Sequence, residues 1–313
     1  MLGLLACNKQ EQTDNGENEA SLKRDSMALY VAVFPCEGSL PLYYAEASGM
    51  FDSAKMDVKL LHLNTMEDCD TALIHRHAEI SVSDMARLIC MRKDSFEAAA
   101  IAQLPGSMAL YTAKSARLNE VKQLKERIVA IDRHSEADYY SDKVLENTSL
   151  ERLDIFRTQF NNHKLREEML SNKLIDAAFL DEPYGTLAIE HGAKRIWQRS
   201  DDASSWNVLA MASSTFKDTR RVEQASKLIA IYQKAAEAMK DSTQQVVTSV
   251  LKEQYGIPNI EVDTMPSLRQ SIKPQPLRPA IQNLADQAKS WLTSRGWIDS
   301  GIKTNDLVHN LVK

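Results

Sequence analysis

The chain has 313 residues, of which 43% are hydrophobic and 26% charged, with a formal net charge of -5 and an isoelectric point near 5.9. A chain of that length and composition buries a large core or divides into two lobes, as ordinary globular proteins do. The acidic balance argues against a nucleic-acid binder, which needs a basic surface, and no run of about 18 apolar residues is present to cross a membrane as a helix.

The N-terminus reads Leu4-Leu5-Ala6-Cys7, similar to a bacterial lipobox in which small residues precede a cysteine that becomes lipidated. Only six residues precede Cys7 and none is basic, so residues 1–7 carry at most the remnant of a signal peptide. Asn8 to Ser26 is polar, with Leu22 as its one leucine and no aromatic residue. It has too little apolar surface to fold and predicts a flexible tether spanning roughly 25 Å. A lipidated cysteine, a tether and then a folded body is the layout of a membrane-anchored protein.

From Met27 onward, short apolar runs alternate with amphipathic stretches. Met27 to Phe34, Met56 to Leu63 and Glu79 to Val82 predict strands. Leu40 to Ser48, Met66 to His77 and the stretch from Ser83 to Met91 predict helices, with Ser39 and Asn64-Thr65 as caps. Ala98 to Gln103 and Met108 to Ala113 predict two further strands around Pro105-Gly106. Later strands are expected at Arg127 to Asp132, Leu153 to Arg157, Ile175 to Leu180 and Ile196-Trp197. Helices are expected at Val121 to Glu126, from the Ser135 cap to Glu146, at Lys164 to Ser171 and at Thr186 to His191. Asn207 to Ser213 predicts a return crossing. Val222 to Lys240, Gln245 to Gln254, Ala280 to Gly296 and Thr304 to Val312 predict closing helices, and three prolines mark Ile272 to Pro279 as a loop. Repeated strand–helix units argue for doubly wound α/β lobes.

Several segments carry a resemblance. Asp176-Ala177-Ala178, Glu182-Pro183 and Gly192-Ala193 stand in the order of a segment found in type II solute-binding proteins of ABC importers. The chain is similar to the branch that handles alkanesulfonates, nitrate-like anions and thiamine-precursor pyrimidines. Gly38 to Ala45, Gly49-Met50-Phe51, Ala78 to Asp84 and Tyr255-Gly256-Ile257-Pro258 fit the same branch. The resemblance implies two doubly wound α/β lobes, joined by two crossovers, with a ligand cleft between them. Lobe one is expected to hold residues 27–112 and 207–313, and lobe two residues 113–206. The crossovers are expected near Tyr111 to Leu118 and near Ser204 to Val208.

Five helices are expected to begin beside strand ends, after Ser39, Asn64-Thr65, Ser83, Ser135 and Glu182. Free N–H groups there suit oxygen-rich or anionic ligands. Each polar residue also reads as a simple N-cap, and the resemblance is what raises Ser39, Ser83, Ser135 and Glu182 above that. Asn64 and Asp84 join them as ligand-binding candidates. Tyr43, Tyr184 and Trp206 can stack on a ring or serve as core. Glu37, Asp84, Asp181 and Glu182 all lie by strand ends on the cleft side, whereas Arg133 is the only arginine at an equivalent position. That balance favours an amine-bearing heterocycle over a sulfonate.

No catalytic residue, cofactor or metal is expected. The four cysteines, Cys7, Cys36, Cys69 and Cys90, form no C-x-x-C pair, and the seven histidines show no metal-ligand spacing. G-x-S-x-G, P-loop and G-x-G-x-x-G patterns are absent. The expected protein is therefore a monomeric extracytoplasmic lipoprotein that delivers a small molecule to an ABC permease by hinge closure, with no nucleic-acid partner. The alternative is a cytoplasmic biosynthetic enzyme on the same fold, as in pyrimidine- and menaquinone-pathway relatives.

Overall fold

The computed structural model describes residues 25–200, 203–241, 245–258, 261, 266–271 and 275–312. Cys7 and the tether as far as residue 24 lie outside the described residues. The strands are β1 (Leu29–Val33), β2 (Val58–His62), β3 (Ile80–Asp84), β4 (Ala98–Gln103), β5 (Ala109–Thr112), β6 (Ile128–Ile131), β7 (Phe156–Gln159), β8 (Ala177–Leu180), β9 (Lys194–Gln198) and β10 (Asn207–Ala212). The helices are α1 (Leu40–Ala47), α2 (Met50–Ser53), α3 (Met66–Ile74), α4 (Met85–Lys93), α5 (Glu136–Lys143), α6 (His163–Ser171), α7 (Tyr184–Glu190), α8 (Thr219–Asp241), α9 (Gln245–Glu253), α10 (Pro266–Ser271) and α11 (Gln282–Ser294).

Two five-stranded sheets organise these elements, in the orders β2-β1-β3-β10-β4 and β7-β6-β8-β5-β9. Each sheet has four strands running in one direction and one antiparallel strand that arrives from the other lobe. In the first sheet β10 lies antiparallel to β3 and β4; in the second β5 lies antiparallel to β8 and β9. Helices cover both faces, so β3, β4 and β10 are buried along their whole length, which is why they read as continuous apolar runs. Side chains close the helix starts: Thr65 accepts the Asp68 N–H, Asp84 the Ala86 N–H, Ser135 the Ala137 N–H and Asn162 the Leu165 N–H.

The chain changes lobes earlier than the sequence suggests. Expected lobe one ran to residue 112, but β5 pairs with β8 and β9 in the second sheet. The first crossing is therefore the short stretch Leu104 to Met108, around Pro105-Gly106. An apolar strand such as Ala-Leu-Tyr-Thr carries no mark of which sheet it will join, and only the pairing partner decides. The return crossing leads from Gln198 at the end of β9 to Asn207 at the start of β10. Beyond it, α8 and α9 pack on α1, and α11 packs on α4, so the C-terminal helices cover the first lobe. The Tyr232 hydroxyl donates to the Gly38 carbonyl at 3.0 Å and fixes α8 there.

Thr304 to Val312 is not the expected helix. Thr304 to Leu307 makes a turn, and the chain then runs along β4: the Ala100 N–H donates to Leu307 O at 2.8 Å, and the N–H groups of His309 and Leu311 donate to Ala100 O and Ile101 O. Arg278 exchanges backbone bonds with Gln103 farther along the same strand. β4 is the edge of its sheet, and its unpaired backbone groups outweigh the weak helical pattern of the tail. Two further elements shrink for local reasons. Val121 to Glu126 makes one 3-10 turn at Val121–Gln123, and Leu153 falls in another at Arg152–Asp154, so the strand starts at Phe156.

Candidate functional site

The two sheets point the ends of β1, β3, β6 and β8 at one another. Carboxylates follow each end: Glu37 after β1, Asp84 on β3, Asp132 after β6, and Asp181 and Glu182 after β8. Glu136 and Asp138 add two more in the first turn of α5. Asp84, Asp132, Glu136, Asp138 and Asp181 are all at most 5% exposed, a density of buried acid that must be neutralised or hydrogen-bonded.

Asp84 spans the lobes. Its Oδ1 accepts the Ala86 N–H at 2.7 Å, and its Oδ2 accepts the Glu136 N–H of α5 at 2.9 Å. Burial, reinforced by the Glu136 charge, pushes its pKa well up, and the two N–H bonds oppose that rise. Asp181 reaches back the other way, its Oδ2 accepting the Glu37 N–H at 3.2 Å. His163 sits between Asp181 Oδ1 and Asp132 Oδ2, at 2.8 and 3.2 Å, with the edge of Phe34 against it. Burial pulls its pKa down, but Asp181 and the hydrogen bonds to both carboxylates raise it to about 9. The imidazolium then donates from both nitrogens. Arg166 also pairs with Asp132, at 2.5 Å. Burial works against the Asp132 charge, yet Arg166 and His163 hold its pKa below the ordinary value.

Glu136 joins α5 to both crossovers. Its Oε1 pairs with Arg199 at 2.9 Å, its Oε2 accepts the Trp206 N–H at 3.2 Å, and Arg199 also donates to the Gly106 carbonyl. Beside this hub lies a cavity of about 780 Å³, lined by Glu37, Gln103, Ser107, Glu182, Arg199 and Arg278 among others. The Glu37 Oε2 accepts the Ser107 N–H and hydroxyl at 2.7 and 2.6 Å. Burial, with the charges of Asp181 and Glu182 adding to it, pushes the Glu37 carboxyl up to about 7. Gln103 is 3% exposed and donates from Nε2 to Ser205 O at 2.6 Å, while its Oε1 has no hydrogen-bond partner among the described residues. A buried acceptor without a partner, on a residue that lines a cavity, is a group suited to a donor.

The profile described as "NMT1/THI5 like" matches residues 37–247, more than half of the chain. The chain belongs to this family. Among curated proteins no sequence matches this NMT1/THI5-like chain. Solved structures resemble it closely in fold. The periplasmic aliphatic sulphonate binding protein SsuA from Escherichia coli aligns with a TM-score of 0.74 at 14% identity, over 91% of this chain and 92% of that one. The alkanesulfonate-binding protein SsuA from Xanthomonas axonopodis, bound to MOPS, gives 0.76 at 11% identity, over 92% and 99%. The periplasmic nitrate-binding protein NrtA from Synechocystis gives 0.71 at 10% identity, over 89% and 84%. The fold is that of periplasmic binding proteins.

In this NMT1/THI5-like chain the candidate residues divide. Glu182 lines the cavity, and its Oε2 also accepts the Thr186 N–H at 3.0 Å. Asp84, Ser135 and Trp206 lie buried where the lobes meet. Ser135 caps α5 and donates to Asp132 O at 2.9 Å. Trp206 does stack on a ring, but that ring is Tyr139, with centroids 4.5 Å apart. Ser83 donates to Asp70 at 2.6 Å, and Ser39 lies 3.2 Å from the Cys36 sulfur. Tyr43 packs its edge on Tyr255 in the core, and the Tyr184 hydroxyl donates to Tyr255 O at 3.0 Å. Asn64 is exposed and offers its carbonyl to Asn162 at 3.4 Å.

The arginine reading needs correction. Arg133 is exposed, while Arg87, Arg166 and Arg199 bring guanidiniums to the buried acids from helices and a crossover. Sequence spacing missed them because their long side chains reach the cleft from outside the strand ends. Gln103 was also missed. A polar residue closing the otherwise apolar Ala98–Gln103 strand was the available signal.

Proposed function

We propose that this chain is the substrate-binding lipoprotein of an ABC importer, held outside the cytoplasm through Cys7 and capturing its ligand as a monomer by closure of the two lobes. Membership of the NMT1/THI5-like family supports the reading, and so do neighbours whose names describe periplasmic binding proteins for sulphonates and nitrate. The observation that carries it is the cavity against both crossovers, where bending at Leu104 to Met108 changes the walls directly.

The lining favours an amine-bearing heterocycle over a sulfonate. Glu37, Glu182, Glu190 and the unpartnered Gln103 Oε1 offer acceptors, while Arg195, Arg278 and Arg199, which is already paired with Glu136, offer donors. An amino-substituted nitrogen ring presents donors and acceptors on one edge and matches that set. Native mass spectrometry of protein purified from its source cell tests the proposal. A co-purifying nitrogen heterocycle supports it. A co-purifying sulfonate, or an empty protein that binds neither class in calorimetry, rejects the ligand class.

A further inference from the structure

The helix starts that make such a cleft attractive to anions are occupied by this chain's own groups. The Asp84 carboxyl covers two of them at once, with one oxygen on the first turn of α4 and the other on the first turn of α5, from opposite lobes. Asp181 takes the Glu37 N–H in the same manner. The hydroxyls beside them are also committed, Ser83 to Asp70 and Ser135 to Asp132 O. A sulfonate or sulfate entering between α4 and α5 would meet a carboxyl group already on those amides, with the Glu136 carboxylate beside it.

An independent observation points the same way. The unpartnered buried atom of the adjoining cavity, Gln103 Oε1, is an acceptor, and an anion without a proton to give leaves it unsatisfied.

We propose that Asp84 sets the ligand specificity of this protein by standing in for an anion: it fills the α5 amide position when the lobes close and so bars sulfonates, sulfate and nitrate from the cleft. The inference rests on the capture reading above and deepens it.

Titration calorimetry of the full chain with methanesulfonate tests it. Asp84→Ser keeps an oxygen to cap α4 and is too short to reach Glu136, so the α5 amide is vacated. The variant is expected to bind methanesulfonate about ten- to a hundredfold more tightly than wild type, the range of one charge-assisted hydrogen-bond site. Equal affinity in the two proteins overturns the proposal, as does tight wild-type binding that Asp84→Ser leaves unchanged. If Asp84→Ser shows no cooperative melt, Asp84→Asn keeps the volume and the capping oxygen. A larger methanesulfonate-induced rise in its melting temperature than in wild type supports the role, and an equal rise overturns it. Titrating wild type with 4-aminopyrimidine reports separately on the capture reading, so either can fail while the other stands.

Discussion

Arg295, at the C-cap of α11, forms an ion pair with Asp142 of α5, and Trp291 Nε1 donates to the same carboxylate oxygen at 3.0 Å. α11 packs on α4 of the first lobe and α5 belongs to the second, so the contact ties the two lobes together. The Arg295 guanidinium also lies over the Trp297 ring, 4.4 Å from its centroid. Arg295→Leu removes the ion pair, while Asp142 keeps the Trp291 N–H and Arg157 at 2.9 Å. The expected cost is about 1–3 kcal/mol of stability, with a wider lobe separation. Thermal melting and solution scattering check both. An unchanged radius of gyration would show that the pair does not hold the lobes.

His163 predicts a pH dependence with a definite sign. Its pKa in the folded protein is raised from 6.5 to about 9 by Asp181 and the hydrogen bonds to both carboxylates, against the opposing effect of burial. The protonated form is the one the fold favours. Its contribution is fully present below the unfolded value of 6.5 and is lost as pH rises through 9. The shift corresponds to on the order of 3 kcal/mol. Denaturant unfolding at a series of pH values, compared with His163→Gln, isolates it. The wild-type advantage is expected to shrink between these limits, and a constant difference would remove His163 from the alkaline transition.

Two substitutions probe the cavity. Glu182→Gln is expected to weaken binding of 4-aminopyrimidine about ten- to a hundredfold, because a carboxylate acceptor becomes a neutral amide. Gln103→Leu removes the open acceptor and also the bond to Ser205 O, so it is expected to lower both affinity and stability, the latter by about 1 kcal/mol. Calorimetry and melting curves on the same preparations separate the two effects. Unaltered affinity in both variants would place the ligand elsewhere.

Anchoring is tested by expressing the gene in its source cell and replacing Cys7 by Ala. The variant is expected to appear in the soluble extracytoplasmic fraction, whereas wild type pellets with membranes. A pelleting Cys7→Ala protein would mean that something other than lipid holds it.

The α/β class and most element positions are legible in the sequence, because helix and strand periodicity and N-caps such as Thr65 and Asp84 act within a few residues. The acid-rich strand ends are legible too, since Glu37, Asp84, Asp181 and Glu182 follow apolar runs directly. Which sheet β5 joins, and that residues 307–311 line the edge of β4, depend on backbone hydrogen bonds between distant segments. No local pattern encodes those partners. The same holds within the site. Ser39, Ser83 and Ser135 have the residue type of ligand-binding groups, yet their hydroxyls face Cys36, Asp70 and Asp132 O, positions that only the packed lobes bring within reach. Arg199 and Gln103 gain their roles in the same way. A side chain's type sets what it can bond, whereas burial and the neighbours supplied by the fold decide whether that bond goes to the protein or stays open for a ligand.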